Sequence, residues 1–126
     1  MSAVGETFPL YCTANGKAYL AQLSDPAIET LIGRTYEART PKTHTRFDTL
    51  LADIKVARRS GVAFDREEHT LGICAAGVAL QDPLGNAVAI SVPVPSQRFQ
   101  DRQALIAERL LATKRAMEMH MNSAAA

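Results

Sequence analysis

The sequence carries no excess of charge of either sign. Fourteen Lys and Arg stand against thirteen Asp and Glu, a net charge of +1, whereas a domain that holds duplex DNA unaided carries a clear basic excess. Direct nucleic-acid contact is therefore not expected. Cysteine is scarce: Cys12 and Cys74 offer neither zinc-ligand spacing nor a disulfide framework, and two free thiols suit a reducing compartment. No apolar run approaches the roughly 18 residues of a membrane span, and Met1 to Thr7 lack the basic start and apolar stretch of a signal peptide. Together these predict a cytoplasmic protein without membrane contact. Internal repeats are absent. Gly16-Lys17 is no phosphate loop, because position 11 is Tyr and position 18 is Ala where that motif needs Gly and Ser or Thr. No Ser/His/Asp arrangement can be drawn, His44 and His120 have no partner pattern, and Glu67-Glu68-His69 reads as a solvated charge run. No catalytic residue, metal or cofactor is expected.

What is present suits one globular domain. The 126 residues, 47% hydrophobic and 21% charged, suffice for a single modest core. Phe8 to Cys12 reads as a short strand. Thr13 is a good N-cap for an alanine-rich helix over Ala14 to Leu23, and Ser24-Asp25-Pro26 starts a second helix that ends near Gly33. Arg34 to Arg46 is polar and reads as an exposed connection. Phe47, Leu50, Leu51, Ile54 and Ala57 recur at helical spacing, predicting a helix over Phe47 to Ser60 capped by Gly61, with Arg58 and Arg59 on its wet face. Val62 to Phe64 follows as a short strand.

Gly72 to Gln81 and Ala87 to Val94 are two apolar runs joined by Asp82-Pro83-Leu84-Gly85-Asn86, a hairpin signal. Ile106, Leu110, Thr113, Met117 and Met121 then mark a long C-terminal helix with one buried stripe, and Asn122 to Ala126 reads as a frayed tail. This order predicts an α/β (α+β) domain with an antiparallel sheet flanked by helices. Alternation gives the hairpin a bulky face, Cys74, Ala76, Val78 and Leu80 beside Val88, Ile90, Val92 and Val94. Its opposite face is small: Ile73, Ala75, Gly77 and Ala79 with Ala87, Ala89, Ser91 and Pro93. Over that face either a helix backbone approaches closely or a ligand cavity remains.

Four segments carry a family resemblance. Pro9-Leu10-Tyr11-Cys12-Thr13-Ala14-Asn15-Gly16-Lys17-Ala18-Tyr19-Leu20-Ala21 resembles the motif that opens the core of IclR-type effector-binding domains. Leu50 to Glu68, with its Arg-Arg-Ser-Gly-Val-Ala-Phe-Asp-Arg-Glu-Glu run, is similar to the family's following helix and strand. Leu71 to Val78 and Ala89 to Phe99 are similar to its final hairpin. Each motif is loose alone; four in order and at the right separations are specific.

The resemblance implies a GAF/profilin-like effector-binding domain over residues 8–121, with 122–126 as a disordered tail. It implies a six-stranded sheet, of which this sequence supplies only part. The family's winged helix-turn-helix and the first elements of its sensing domain have no counterpart before Phe8, so a partial effector domain is expected. Its implied ligand is a small organic or aromatic acid, and its implied assembly a homo-oligomer, a dimer or tetramer, acting on DNA only through the winged helix. Backbone amides at Thr13, Ala14, Asn15 and Gly16 are placed to hold the carboxylate, although an ordinary capped helix explains the same pattern. Asp65 occupies the family's acidic position, either as a ligand contact or as a turn residue bonding local backbone. Ile73, Ala75, Ser91 and Pro93 align with pocket-lining positions. Ala75 and Pro93 stand where members often carry a thiol and a hydroxyl, which implies a more apolar pocket suited to a larger or aromatic acid. The rival expectation is a truncated interaction module that binds no ligand and co-assembles with full-length regulators.

Overall fold

A computed structural model describes residues 9–125, with side chains through residue 122. Within these residues the elements are α1 (Ala14–Leu20), α2 (Asp25–Ile32), α3 (Phe47–Ser60), β1 (Ala63–Arg66), β2 (Ile73–Gln81), β3 (Ala87–Pro95) and α4 (Ser96–Ala125). The strands form one antiparallel sheet in the order β1-β2-β3. The expected class, an antiparallel sheet flanked by helices, holds.

Local signals account for most boundaries. Ser24 accepts a bond from the Ala27 amide and starts α2, and Gly61, at φ 82°, closes α3 by donating to the Ala57 carbonyl. Asp82 organises the hairpin turn: its side chain accepts from the Leu84 and Asn86 amides, and Gly85 takes φ 85°. Such a left-handed position favours glycine.

Alternation separates the two faces of β2. Cys74, Ala76 and Val78 pack with Val62, and with Phe99 and Leu110 of α4, in one core. Ala63 and Ala79 meet Ala18 of α1 and Ala57 of α3 on the other side. Alanine alone fills this layer, so α1 and α3 lie close to the sheet. A second core, Leu20, Ile28, Phe47, Leu50 and Ile54, joins α1, α2 and α3. Each large side chain buried in this way contributes about 1.5–3 kcal/mol.

Six expectations need correction. Pro9 to Cys12 form a turn, not a strand; Phe8 lies outside the described residues. The turn folds back on α1, with the Thr13 hydroxyl donating to the Pro9 carbonyl at 2.9 Å. α1 stops at Leu20 rather than Leu23, because the next turn tightens, the Gln22 and Leu23 amides bonding the Tyr19 and Leu20 carbonyls. Arg58 then takes the Ala21 and Leu23 carbonyls and pairs with Asp25, so it ties α3 to α1 and α2 instead of only facing water. The Arg34–Arg46 connection is pinned: a Thr35–Arg46 bridge closes it, Tyr36 stacks on Tyr11 at 4.9 Å, and Thr40 is buried. Finally, the stripe of α4 joins the core only from Phe99 to Leu111. Thr113 is exposed, and the helical backbone continues to Ala125, through most of the expected tail.

Candidate functional site

The small face of the sheet is closed in one place and open in another. At Gly77 it is closed: a Cβ there would lie 2.9 Å from the Ala14 carbonyl carbon and oxygen and 3.1 Å from the Asn15 amide nitrogen. The start of α1 rests directly on β2. Toward the hairpin end of β3, Leu10, Thr13, Asn15, Gly16, Tyr19, Ala87 and Ala89 line an open cleft of about 240 Å³. The close approach and an open cleft therefore lie side by side.

The start of α1 is spent on its own cap. Thr13 takes extended φ and ψ (−117°, 150°) and its hydroxyl oxygen accepts from the Gly16 amide at 3.1 Å. The Asn15 side-chain oxygen accepts from the same amide at 3.1 Å, and Ala14 is buried against the sheet. The expectation that the Gly16 amide is free to hold an anion is thus corrected, for its two acceptors lie within the chain. Thr13, Asn15 and Gly16 still line the cleft.

Asp65, Ala75 and Pro93 form one row across the three strands, Ala63, Gly77 and Ser91 the next, and Ile73 stands opposite Pro95. Because alternate residues share a face, all of these look toward α1. Asp65 and Ala75 are buried, Ser91 is half-buried, and Ile73 and Pro93 are exposed. The Asp65 carboxylate accepts from the Glu68 amide at 2.8 Å, closing the turn after β1. Burial, with the Glu68 carboxylate nearby, pushes its pKa above the usual carboxylate value against the bonds it accepts from local amides.

Beside Asp65 lies an ionic cluster that the sequence pattern did not reveal. Lys17 is 1% exposed, and its ammonium donates to Asp53 at 2.5 Å and to Glu68 at 2.7 Å. His44 Nε2 lies 3.5 Å from the Asp53 carboxylate and 4.0 Å from that of Glu68. Burial raises the Asp53 pKa, but the bonds from His44 and Lys17 outweigh it and hold the group at about 2. Thr40 and Thr43 donate to the Glu67 and Glu68 carbonyls, and Lys42 pairs with Glu67. Residues 40–44 thereby clasp the turn between β1 and β2. Glu68 is correspondingly buried, which overturns its reading as part of a solvated run, and His44 does have partners. The donor atoms of His44, Asp53 and Glu68 lie within 4.8 Å of one another, yet Lys17 already supplies a cation bonded to two of them. These residues come from four distant parts of the chain, and local spacing gave no signal for them.

Comparison with known proteins places the arrangement. The family model for the bacterial transcriptional regulator IclR C-terminal region matches residues 1–119. The chain belongs to the IclR family. Among curated IclR relatives it is similar to the HTH-type transcriptional regulator Rv1719 of Mycobacterium tuberculosis, 47% identical over 112 residues, 89% of this chain and 43% of that protein. It is also similar to the HTH-type transcriptional repressor AllR of Escherichia coli K12, 35% identical over 100 residues, 78% of this chain and 37% of that protein. The chain spans less than half the length of either. Among solved structures, the C-terminal domain of the E. coli transcriptional regulator KdgR superposes with a TM-score of 0.79 at 30% identity, covering 90% of this chain and 71% of that one. The chain is thus an IclR-type effector-binding region, and its relatives are transcription regulators rather than enzymes. Among the described residues no helix is long and apolar enough to cross a membrane.

Proposed function

We propose that this chain, over residues 8–121, senses a small organic acid as the effector module of an IclR-type cytoplasmic regulator, by binding and without catalysis. The observation that carries the proposal is the small-residue face of the sheet, where Thr13 and Asn15 border an open cleft and Asp65, Ala75, Ser91 and Pro93 share one face beneath α1. The acid's carboxylate accepts from the Ser91 hydroxyl and the Asn15 side-chain NH2 group, while Thr13, Ala14 and Gly16 keep the approach narrow. The Asp65 carboxylate, held by the Glu68 amide, is placed to accept from a ligand hydroxyl. Ala75, Ile73 and Pro93 offer apolar contact alone, which favours a larger or aromatic acid over the smallest keto acids.

Binding next to Asp65 reaches Glu68, and through it Lys17 and the 40–44 clasp. A ligand that prefers one setting of this clasp shifts the equilibrium between settings by its differential affinity. The module self-associates and contacts DNA only through a winged helix-turn-helix on the same or a companion chain. Thermal-shift assays with glyoxylate, pyruvate and benzoate test the reading. The expected order places benzoate first; no shift with any acid contradicts the sensor role, and glyoxylate binding tightest contradicts the apolar pocket.

A second reading has one observation in its favour. The Gly16 amide is engaged within the chain and Ala14 lies tight against Gly77, as fits a ligand-free module that co-assembles with full-length regulators. Unchanged melting with every acid, together with capture of a full-length IclR-family partner of known sequence, would establish it.

A further inference from the structure

The ionic cluster beside Asp65 is short of positive charge. Its carboxylates are Asp53 of α3, Asp65 of β1 and Glu68 of the following turn, and the last two are buried. One fixed cation faces them, Lys17 of α1, bonded to Asp53 and Glu68. Three carboxylates against one ammonium leave two negative charges in excess when His44 is neutral, and one when it is protonated. The surrounding groups do not change this count. Lys42 and Glu67 pair with each other, Arg39 is exposed beside Tyr11, and Arg66 is exposed and reaches Gln103. His69 bonds the Thr70 hydroxyl at an exposed position.

An acid bound at Ser91 brings a further negative charge to this side of the sheet. Asp65 lies two strands and one row from Ser91, a separation of roughly 10–12 Å at ordinary strand spacing. Between buried groups a charge pair at that range is worth roughly a tenfold change in an equilibrium constant. Bound acid therefore favours whatever adds positive charge to the cluster. Among its described residues one group is suited to do so near neutral pH. Asp53, which burial would raise, is held at about 2 by His44 and Lys17, and burial pushes the Cys12 thiol up to about 11, so it stays neutral. Histidine is the side chain that ordinarily changes charge between roughly pH 5 and 8. His44 Nε2 lies 3.5 Å from the Asp53 carboxylate and 4.0 Å from that of Glu68, and its side chain is 27% exposed, so protons reach it.

We infer that acid binding is coupled to protonation of His44, so that the chain holds the acid more tightly as pH falls. The inference rests on the proposed acid sensing and adds its regulation. The imidazolium donates toward the Asp53 and Glu68 carboxylates and draws residues 40–44 onto the turn, where Thr40 and Thr43 already bond the Glu67 and Glu68 carbonyls. Asp65 is held to the same turn by the Glu68 amide, so proton and acid act on one element. The coupling is reciprocal: bound acid favours the protonated imidazole by the same factor that the proton favours the acid.

Two measurements on the 126-residue chain test this, using the tightest-binding of benzoate, pyruvate and glyoxylate, all ionised from pH 6 to pH 8. Calorimetric titration in buffers of different ionisation enthalpy counts protons, and imidazole NMR shifts report each histidine. The expected result is an affinity about three- to tenfold higher at pH 6 than at pH 8, with net proton uptake on binding. The His44 titration midpoint moves to higher pH in saturating acid, while those of His69 and His120 stay. His44→Gln is expected to bind at both pH values with the parent's pH 8 affinity. Should that variant fail to fold, the imidazole shifts of the unaltered chain decide alone. Equal affinity at both pH values with an unmoved His44 overturns the coupling and spares the sensor reading. Uptake that survives in folded His44→Gln belongs to Asp65, whose pKa burial already raises, or to His69, and overturns the role of His44. No binding of any of the three acids overturns both.

Discussion

Lys17 and Glu68, fifty-one residues apart in sequence, meet in a buried 2.7 Å ion pair. This contact links α1 to the turn that holds Asp65, because the Glu68 amide bonds Asp65 while the Glu68 side chain bonds Lys17. Removing Lys17 leaves the buried carboxylate of Glu68 without its cation. Lys17→Met is expected to cost about 3–5 kcal/mol at neutral pH, read as a lower urea midpoint. The loss should shrink in acid, where the carboxylates protonate. A loss that stays constant across pH would mean the alkyl stem, not the charge, carries the effect.

Asp53 gives a pH signature of known sign. Its folded pKa of about 2 lies below the ordinary 3.8, so the stabilisation it brings is complete above about pH 5 and is lost as pH falls through 3.8 toward 2. Asp53→Asn is expected to lose about 2 kcal/mol at pH 7 and to match the parent near pH 2. Thermal melts across that range check it, and parallel melting curves for the two proteins would contradict it.

Asp65 has the opposite sign. Its pKa is raised by burial, so its ionisation opposes folding as pH rises through the folded value. Asp65→Asn keeps an oxygen for the Glu68 amide and removes the buried charge. The variant is expected to melt higher than the parent at pH 7 and to bind the acid more weakly. Stability gained with binding lost would mark a group kept for function.

Gly77 tests the close approach. Ala at this position would press its Cβ against the Ala14 carbonyl at 2.9 Å, and Gly77→Ala is expected to cost about 1–3 kcal/mol. A neutral effect in chemical denaturation would show that α1 can lift from the sheet.

Much of this was legible in the sequence for reasons that remain local. Helical spacing and Gly61 set α3 to the residue, alternation and the Asp82–Asn86 turn set the hairpin, and the small residues of its inner face allowed the approach of α1 as one of two alternatives. What was not legible depends on tertiary contact. Phe8 to Cys12 has strand-like composition, but the Thr13 hydroxyl bonds Pro9 and folds the segment back. The polar run from Arg34 to Arg46 looked solvated because its partners, the Glu67 and Glu68 carbonyls, lie on another element. In the site, the face shared by Asp65, Ala75, Ser91 and Pro93 follows from alternation, whereas the engagement of the Gly16 amide by Asn15 and the Lys17 cluster required coordinates.

The sensor role requires that an acid enter between α1 and the sheet. Amide chemical shifts of the chain titrated with benzoate, pyruvate and glyoxylate measure this directly. Saturable changes centred on Thr13, Asn15, Ala75 and Ser91, strongest with benzoate and reduced about tenfold in affinity by Ser91→Ala, are the predicted result. Unmoved resonances at those four residues with all three acids would contradict it.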